Sequence, residues 1–185
     1  MGTSTPSTST GGTGSADASG ELTQEALLAG GCFWGMEEWA RHLPGVSETS
    51  VGYMGGSVED PTYREVTGGE TGHAETVRLV FDPSQMSYEE LLLGFFRMHD
   101  PTTVNRQGND VGTQYRSAVF VNTDAERETA AAVIEVVDRS GFWAMDVYTT
   151  IEEADVYYEA EEYHQDYLQI LPNGYDNHFE RETPY

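Results

Sequence analysis

The stretch Ala26-Leu27-Leu28-Ala29-Gly30-Gly31-Cys32-Phe33-Trp34-Gly35-Met36-Glu37 governs how the rest of the chain is read. An apolar run ends in two glycines and gives way to a helical pattern, so a strand, a sharp turn and a helix are expected in that order. The glycines let the backbone reverse and let a ligand come close. Cys32, the only cysteine in 185 residues, then falls at or near the helix N-terminus. Unpaired N–H groups and the helix dipole favour an anion there, and a thiolate is both an anion and the nucleophilic form of cysteine. The competing reading is a small buried hydrophobe, the commoner fate of an isolated cysteine. Phe33 and Trp34 would add an apolar wall beside the sulfur.

Working outward, the helix from Phe33 runs to Leu43 and stops at Pro44-Gly45. Val46 to Met54 reads as a second strand, and Pro61 to Val66 as one or two helical turns inside a loop. Ala74 to Phe81 is the most informative strand. Its alternation puts Glu75 on one face with Val77, Leu79 and Phe81. A carboxyl in that company is expected to keep its proton, because desolvation disfavours its charge. Equally open is a Glu75 at the strand end that reaches solvent or a backbone donor. Ser87-Tyr88-Glu89-Glu90 is a capping box for a helix carrying Leu91, Leu92, Phe95 and Phe96, and Thr123-Asp124-Ala125-Glu126 is a second. Between them lie a polar loop, Thr102 to Thr113, and a strand from Tyr115 to Val121. Val147 to Ile151 alternates as a further strand. The seven acids of Glu152 to Asp166 surround Tyr157, Tyr158, Tyr163 and His164, and read as a solvated helical face with a tyrosine stripe. Pro172 to Tyr185 reads as irregular chain.

Residues 1–20 include 15 Gly, Ser or Thr and are expected to be a flexible tail, with residues 21–185 forming one catalytic domain. The tally of elements is short for a doubly wound sheet. The expected fold is therefore α+β: a two-layer sandwich with a ferredoxin-like core around a mixed sheet, ending in a long irregular segment.

Thirty-two acids face nine bases, all arginine, for a net charge of −23. Such a field repels nucleic acid and anionic membranes. With 38% hydrophobic and 11% aromatic residues the chain can still fold, so the excess acid is read as adaptation to strong salt. A single thiol excludes an internal disulfide and any multi-cysteine metal site. With no apolar run of about 18 residues there is no membrane span, and the expectation is a cytoplasmic monomer holding no metal or bound cofactor.

The pieces form a coherent chemical set. An activated sulfur would attack an atom bearing an oxygen, a neutral acid and two tyrosine hydroxyls would donate to that oxygen, and the aromatic wall would hold a small apolar group. His73 lies near Glu75 in sequence, so a cysteine–histidine pair stays open on spacing alone. A thiol peroxidase, a thiol-dependent hydrolase, a non-catalytic binding module and a plain acidic domain with a buried thiol also remain open.

Gly31-Cys32-Phe33-Trp34-Gly35, Gly52-Tyr53 and Pro61-Thr62-Tyr63-Arg64-Glu65-Val66 resemble the type A peptide methionine sulfoxide reductases. Thr71-Gly72-His73-Ala74-Glu75, the run Asn105 to Ser117 and Ala160-Glu161-Glu162-Tyr163-His164-Gln165 continue the match in order. The resemblance implies reduction of the S epimer of methionine sulfoxide, in oxidised proteins, in peptides and as the free amino acid. It implies Cys32 as nucleophile and Glu75 as proton donor, with Tyr63 and Tyr115 on the sulfoxide oxygen and Asp110 ordering the site. Phe33 and Trp34 would hold the S-methyl group. Many relatives carry recycling cysteines after a segment like Pro172-Asn173-Gly174-Tyr175; this chain has Asp176 there. The resemblance therefore implies a one-cysteine enzyme whose sulfenic acid is reduced by an external thiol: thioredoxin, a glutaredoxin or a low-molecular-weight thiol.

Overall fold

The computed structural model describes residues 22–185 and the backbone of Ser15–Ala16. Apart from that dipeptide, which pairs antiparallel with Leu22 and Thr23, the expected flexible tail lies outside the described residues. In chain order the elements are β1 (Ser15–Ala16), β2 (Leu22–Gly30), α1 (Phe33–Arg41), β3 (Val46–Met54), α2 (Tyr63–Thr67), β4 (Ala74–Phe81) and α3 (Tyr88–Met98). There follow β5 (Arg106–Gln107), β6 (Asp110–Val111), β7 (Ser117–Val121), α4 (Asp124–Arg139), β8 (Thr150–Glu153), β9 (Tyr158–Glu159) and α5 (Tyr167–Ile170).

The main sheet runs β8-β7-β2-β4-β3-β9. Its inner four strands, β7-β2-β4-β3, are antiparallel to their neighbours, as the ferredoxin-like reading requires. The helix α4 then returns the chain to lay β8 parallel to β7, which makes the sheet mixed.

Period-two alternation sorts the strands onto two faces. Ala26, Leu28, Val77, Leu79, Phe81, Val119 and Val121 turn toward Met36 and Ala40 of α1, Leu91, Leu92, Phe95 and Phe96 of α3, and Val133 and Val137 of α4. Each fully buried Leu or Phe of that layer contributes roughly 1.5–3 kcal/mol. The alternate residues Leu27, Ala29, Ala118 and Phe120 form a thinner cluster on the other face, covered by Ala154 and Tyr157. Ser87 caps α3 in a complete box, its hydroxyl accepting from Glu90 N while the Glu90 carboxylate accepts from Ser87 N.

Several expectations are corrected. Thr123 does accept from Glu126 N, but the Glu126 carboxylate takes the N–H of Asn122 instead of closing the box. Tyr115 lies in a 3-10 turn, Thr113–Tyr115, and not in the strand, which begins at Ser117. Tyr115 N donates to Gly112 O and Arg116 N to Thr113 O, and the Arg116 guanidinium binds Glu152 and Gly72 O, so local and tertiary bonds hold the turn closed. The strand placed at Val147–Ile151 is shifted to Thr150–Glu153. The polar loop contains the small β5–β6 hairpin.

Residues 152–166 are not a helix. Glu152 and Glu153 end β8 against β7, and the edge of β3 claims the later part: β9 pairs with Gly52 and Tyr53, Ala160 N donates to Val51 O, and the Gln165 amide both donates to Val51 O and accepts from Val51 N, each 2.9 Å. A buried strand edge needs partners for its backbone, and this segment supplies them.

Candidate active site

Gly31 takes φ +102°, a left-handed conformation that suits glycine, and turns the end of β2 into α1. Cys32 is thereby the N-cap of α1, with its side chain 6% exposed. The first two N–H groups of the helix are both used within the site. Phe33 N donates to the Glu75 carboxyl at 3.1 Å, and Trp34 N points at the Cys32 sulfur.

The thiolate expected from the helix terminus is not what Cys32 carries at rest. Burial pushes its proton affinity up, and Glu75 once it ionises, with Asp110 and Asp176, pushes it further, outweighing the Trp34 N–H. The helix terminus favours the anion, but burial of the sulfur outweighs it, with two carboxylates from distant loops adding to the shift. Resting Cys32 is the neutral thiol.

Glu75 sits beside it, 2% exposed, and burial raises its carboxyl to about 8, with Asp110 adding to the shift and Phe33 N–H opposing it. The acid keeps its proton at pH 7 and is a donor. Burial, followed by the field of Glu75, lifts Tyr63 to about 12 and raises Tyr115 as well, with Cys32 and Asp110 contributing to both. Both phenols thus remain O–H donors near the sulfur. Asp110 is fixed by the final segment of the chain, its carboxylate accepting from Tyr175 Oη at 3.0 Å and Asn177 Nδ2 at 2.9 Å.

The aromatic wall is built in depth. Phe33 is buried against Tyr53 and His164, with ring centroids at 5.9 and 5.2 Å. Trp34 stacks on Tyr167 at 3.7 Å and 12°, and its Nε1 donates to His164 Nδ1 at 3.1 Å. That bond makes Nδ1 the acceptor, and burial lowers the proton affinity of His164, so the imidazole is neutral. His164 is a packed, hydrogen-bonded ring. Glu161 accepts from Tyr53 Oη and from Tyr63 N, both 2.9 Å, which fixes the start of α2.

The structure brings Cys32, Glu75, Tyr63, Tyr115 and Asp110 into one electrostatic group, with Phe33 and Trp34 at its side. It does not bring His73 there. The His73 Nδ1 accepts from Gly56 N at 3.1 Å and its Nε2 faces Val58 O at 2.8 Å, so both ring nitrogens are engaged with backbone. Among the described residues no group of three or more His, Cys, Asp or Glu could hold a metal. No described helix is long and apolar enough to cross a membrane.

Roles that the sequence did not reveal are those of Glu161, Tyr167 and the final strap Tyr175-Asp176-Asn177-His178. Nothing local marks them; they act across 65 to 148 positions. His178 Nε2 donates to Gly30 O at 2.8 Å, and Asp176 lies on α1 where Gly35 has no side chain. A Cβ on Gly35 would collide with Asp176 Oδ1 and stand 2.5 Å from His178 Nδ1. Gly35→Ala is therefore expected to lift the strap and raise the alkylation rate of Cys32 in the folded protein by about tenfold or more. An unchanged rate would mean that the strap does not shield the sulfur.

A protonated acid and two phenols beside a shielded thiol and an aromatic wall are groups that a cysteine-dependent oxidoreductase would use. Residues 24–183 match the family model described as peptide methionine sulfoxide reductase. A curated relative of that name in Nocardia farcinica is 51% identical over 159 residues, covering 86% of this chain and 91% of the relative. Among solved structures, reduced Mxr1 from Saccharomyces cerevisiae superposes with a TM-score of 0.83 at 37% identity, covering 92% of this chain and 97% of that one. The same yeast protein in complex with Trx2 gives 0.61 at 28% identity, covering 92% and 96%. The chain belongs to the peptide methionine sulfoxide reductase family. Its reaction is the thiol-dependent reduction of methionine sulfoxide.

Proposed function

We propose that Cys32 attacks the sulfur of the S epimer of methionine sulfoxide, with its S-methyl group against Phe33 and Trp34. Glu75 gives its proton to the sulfoxide oxygen, which Tyr63 and Tyr115 hold by donated hydrogen bonds, and Asp110 orders the polar side of the site. The thiol proton leaving Cys32 restores Glu75 to the acid. The oxygen passes to Cys32, so the substrate sulfur gains two electrons, the cysteine sulfur loses two, and the products are methionine and the Cys32 sulfenic acid. The observation carrying this reading is the buried Glu75 carboxyl bonded to Phe33 N at 3.1 Å, next to the buried Cys32 that caps the same helix.

No second cysteine exists within the 185 residues, so the sulfenic acid is reduced by an outside thiol. The thioredoxin complex of the yeast relative supports a thioredoxin in that role. Oxidised proteins, peptides and the free amino acid are the substrates. The test is one turnover without reductant, using separated R and S sulfoxides in molar salt. One methionine per chain from the S epimer alone, with one oxygen added to Cys32, is expected; methionine release with unmodified Cys32 would refute the mechanism.

We place the enzyme, as a monomer, in a salt-rich cytoplasm. Charge −23 on one chain is self-repelling, and salt at about 1 M confines such fields to about 3 Å. The denaturant midpoint is expected to rise between low and molar salt, and a flat response would remove the salt argument.

A further inference from the structure

Beyond burial, three carboxyl groups raise the proton affinity of Cys32: Glu75, Asp110 and Asp176. Glu75 keeps its proton, and Asp110 is tied to Tyr175 and Asn177. Asp176 differs in position. It lies on the first turn of α1, where Gly35 leaves room for it, and its Oδ1 accepts from His178 N at 2.8 Å. Although burial works against its charge, the hydrogen bonds from His178 hold the carboxyl below the ordinary range. Its side chain remains 36% exposed. His178 Nδ1 stands 3.3 Å from the same Oδ1, so Asp176 is a carboxylate held by His178 on the first turn of the helix that Cys32 caps, with its outer side open to solvent. The arginines Arg41, Arg78, Arg116 and Arg127 are paired with carboxylates elsewhere in the fold.

We propose that Asp176 selects the external thiol that re-reduces Cys32, favouring reductants that carry a positive charge beside the sulfur over anionic ones. The inference rests on the reading of Cys32 as the residue that becomes a sulfenic acid. In the selected step the incoming thiolate attacks the Cys32 sulfur. An S–S bond forms, the S–O bond breaks, and the oxygen leaves as water with the proton of the sulfenic hydroxyl and one from solvent. A second molecule of the same thiol then attacks the mixed disulfide and releases Cys32 as the thiol. The two external thiols are together oxidised to their disulfide. A thiolate already carries one negative charge toward Asp176. A neighbouring ammonium cancels it, and a neighbouring sulfonate doubles it.

The experiment oxidises the enzyme with one equivalent of methionine S-sulfoxide, then measures re-reduction by cysteamine and by mercaptoethanesulfonate at about 0.1 M salt. Each rate is normalised to that thiol's rate against a neutral small-molecule disulfide. The wild-type ratio is expected to favour cysteamine on the order of tenfold, the scale of like against unlike unit charges near a protein surface. Asp176→Asn keeps the Oδ1 acceptor and should bring the ratio within about twofold of unity. Asp176→Ser should do the same if the asparagine variant fails to fold, and Asp176→Glu should retain the preference. A wild-type ratio near one overturns the proposal. So does a large ratio that survives Asp176→Asn, since it would belong to the charge of the whole chain. Absence of methionine in the first, thiol-free step overturns instead the reading on which the proposal rests.

Discussion

A Glu75→Gln enzyme is expected to lose on the order of 10²–10⁴ in the rate of methionine formation while becoming more stable than the parent at neutral and alkaline pH. The two effects have one origin. Glutamine keeps the shape, and its side-chain oxygen can still accept from Phe33 N, but it has no proton to give. Burial raises the wild-type carboxyl from its ordinary 4.5 to about 8, so the folded protein holds a proton there that the unfolded chain releases. The stabilisation from that proton is complete below about 4.5 and is lost as the pH climbs toward 8. Wild type therefore weakens over that window by about 1.4 kcal/mol per unit, and the amide does not. Denaturant titrations of both proteins at pH 5 and pH 8 measure the difference. A stability gap independent of pH would show that Glu75 is ionised in the folded state, and an unchanged rate would remove it from the chemistry.

Cys32→Ser should abolish methionine formation, with or without added thiol. The hydroxyl fits where the thiol sat, so the sheet and its helices are expected to persist, but an alcohol does not take an oxygen atom from a sulfoxide. Mass spectrometry after exposure to the S sulfoxide should show no oxygen added to the variant, against one for the wild type. Residual turnover would point to a nucleophile other than the single thiol of the chain.

The strand-turn-helix around Gly31, the strand holding Glu75 and the capping box at Ser87 were legible because each is a local matter. Periodicity, a glycine and an acid three residues from a serine are all written within about ten positions. The face on which Glu75 lies follows from the same period of two. That face leaves a protonated acid and a carboxyl reaching a backbone donor equally open, and the structure shows a buried carboxyl that also accepts from Phe33 N. The charge state of Cys32 was not legible. The helix terminus that favours a thiolate is local, whereas what opposes it is first the burial of the sulfur and then carboxyls that include Asp110 from a hairpin and Asp176 from the last residues. The segment 152–166 misled for a related reason. Its tyrosines and acids suit a helix surface, but Gln165 and β9 serve the open edge of β3, whose needs are set more than a hundred positions earlier. Tyr167 and Glu161 were hidden likewise, being ordinary residues until Trp34 and Tyr63 are placed against them.

The strap carries a kinetic consequence. Its bond from His178 to Gly30 closes a loop of 148 positions, and the clasp of Trp34 by His164 closes one of 130. Loop closure over such spans is slow and has few contacts to hold it until the sheet exists. The sheet and its helices should therefore assemble first and the reactive centre be sealed last. In the reverse direction, amide exchange at Tyr175–His178 should proceed by local opening while β4 stays protected, so the thiol becomes reachable without the protein unfolding.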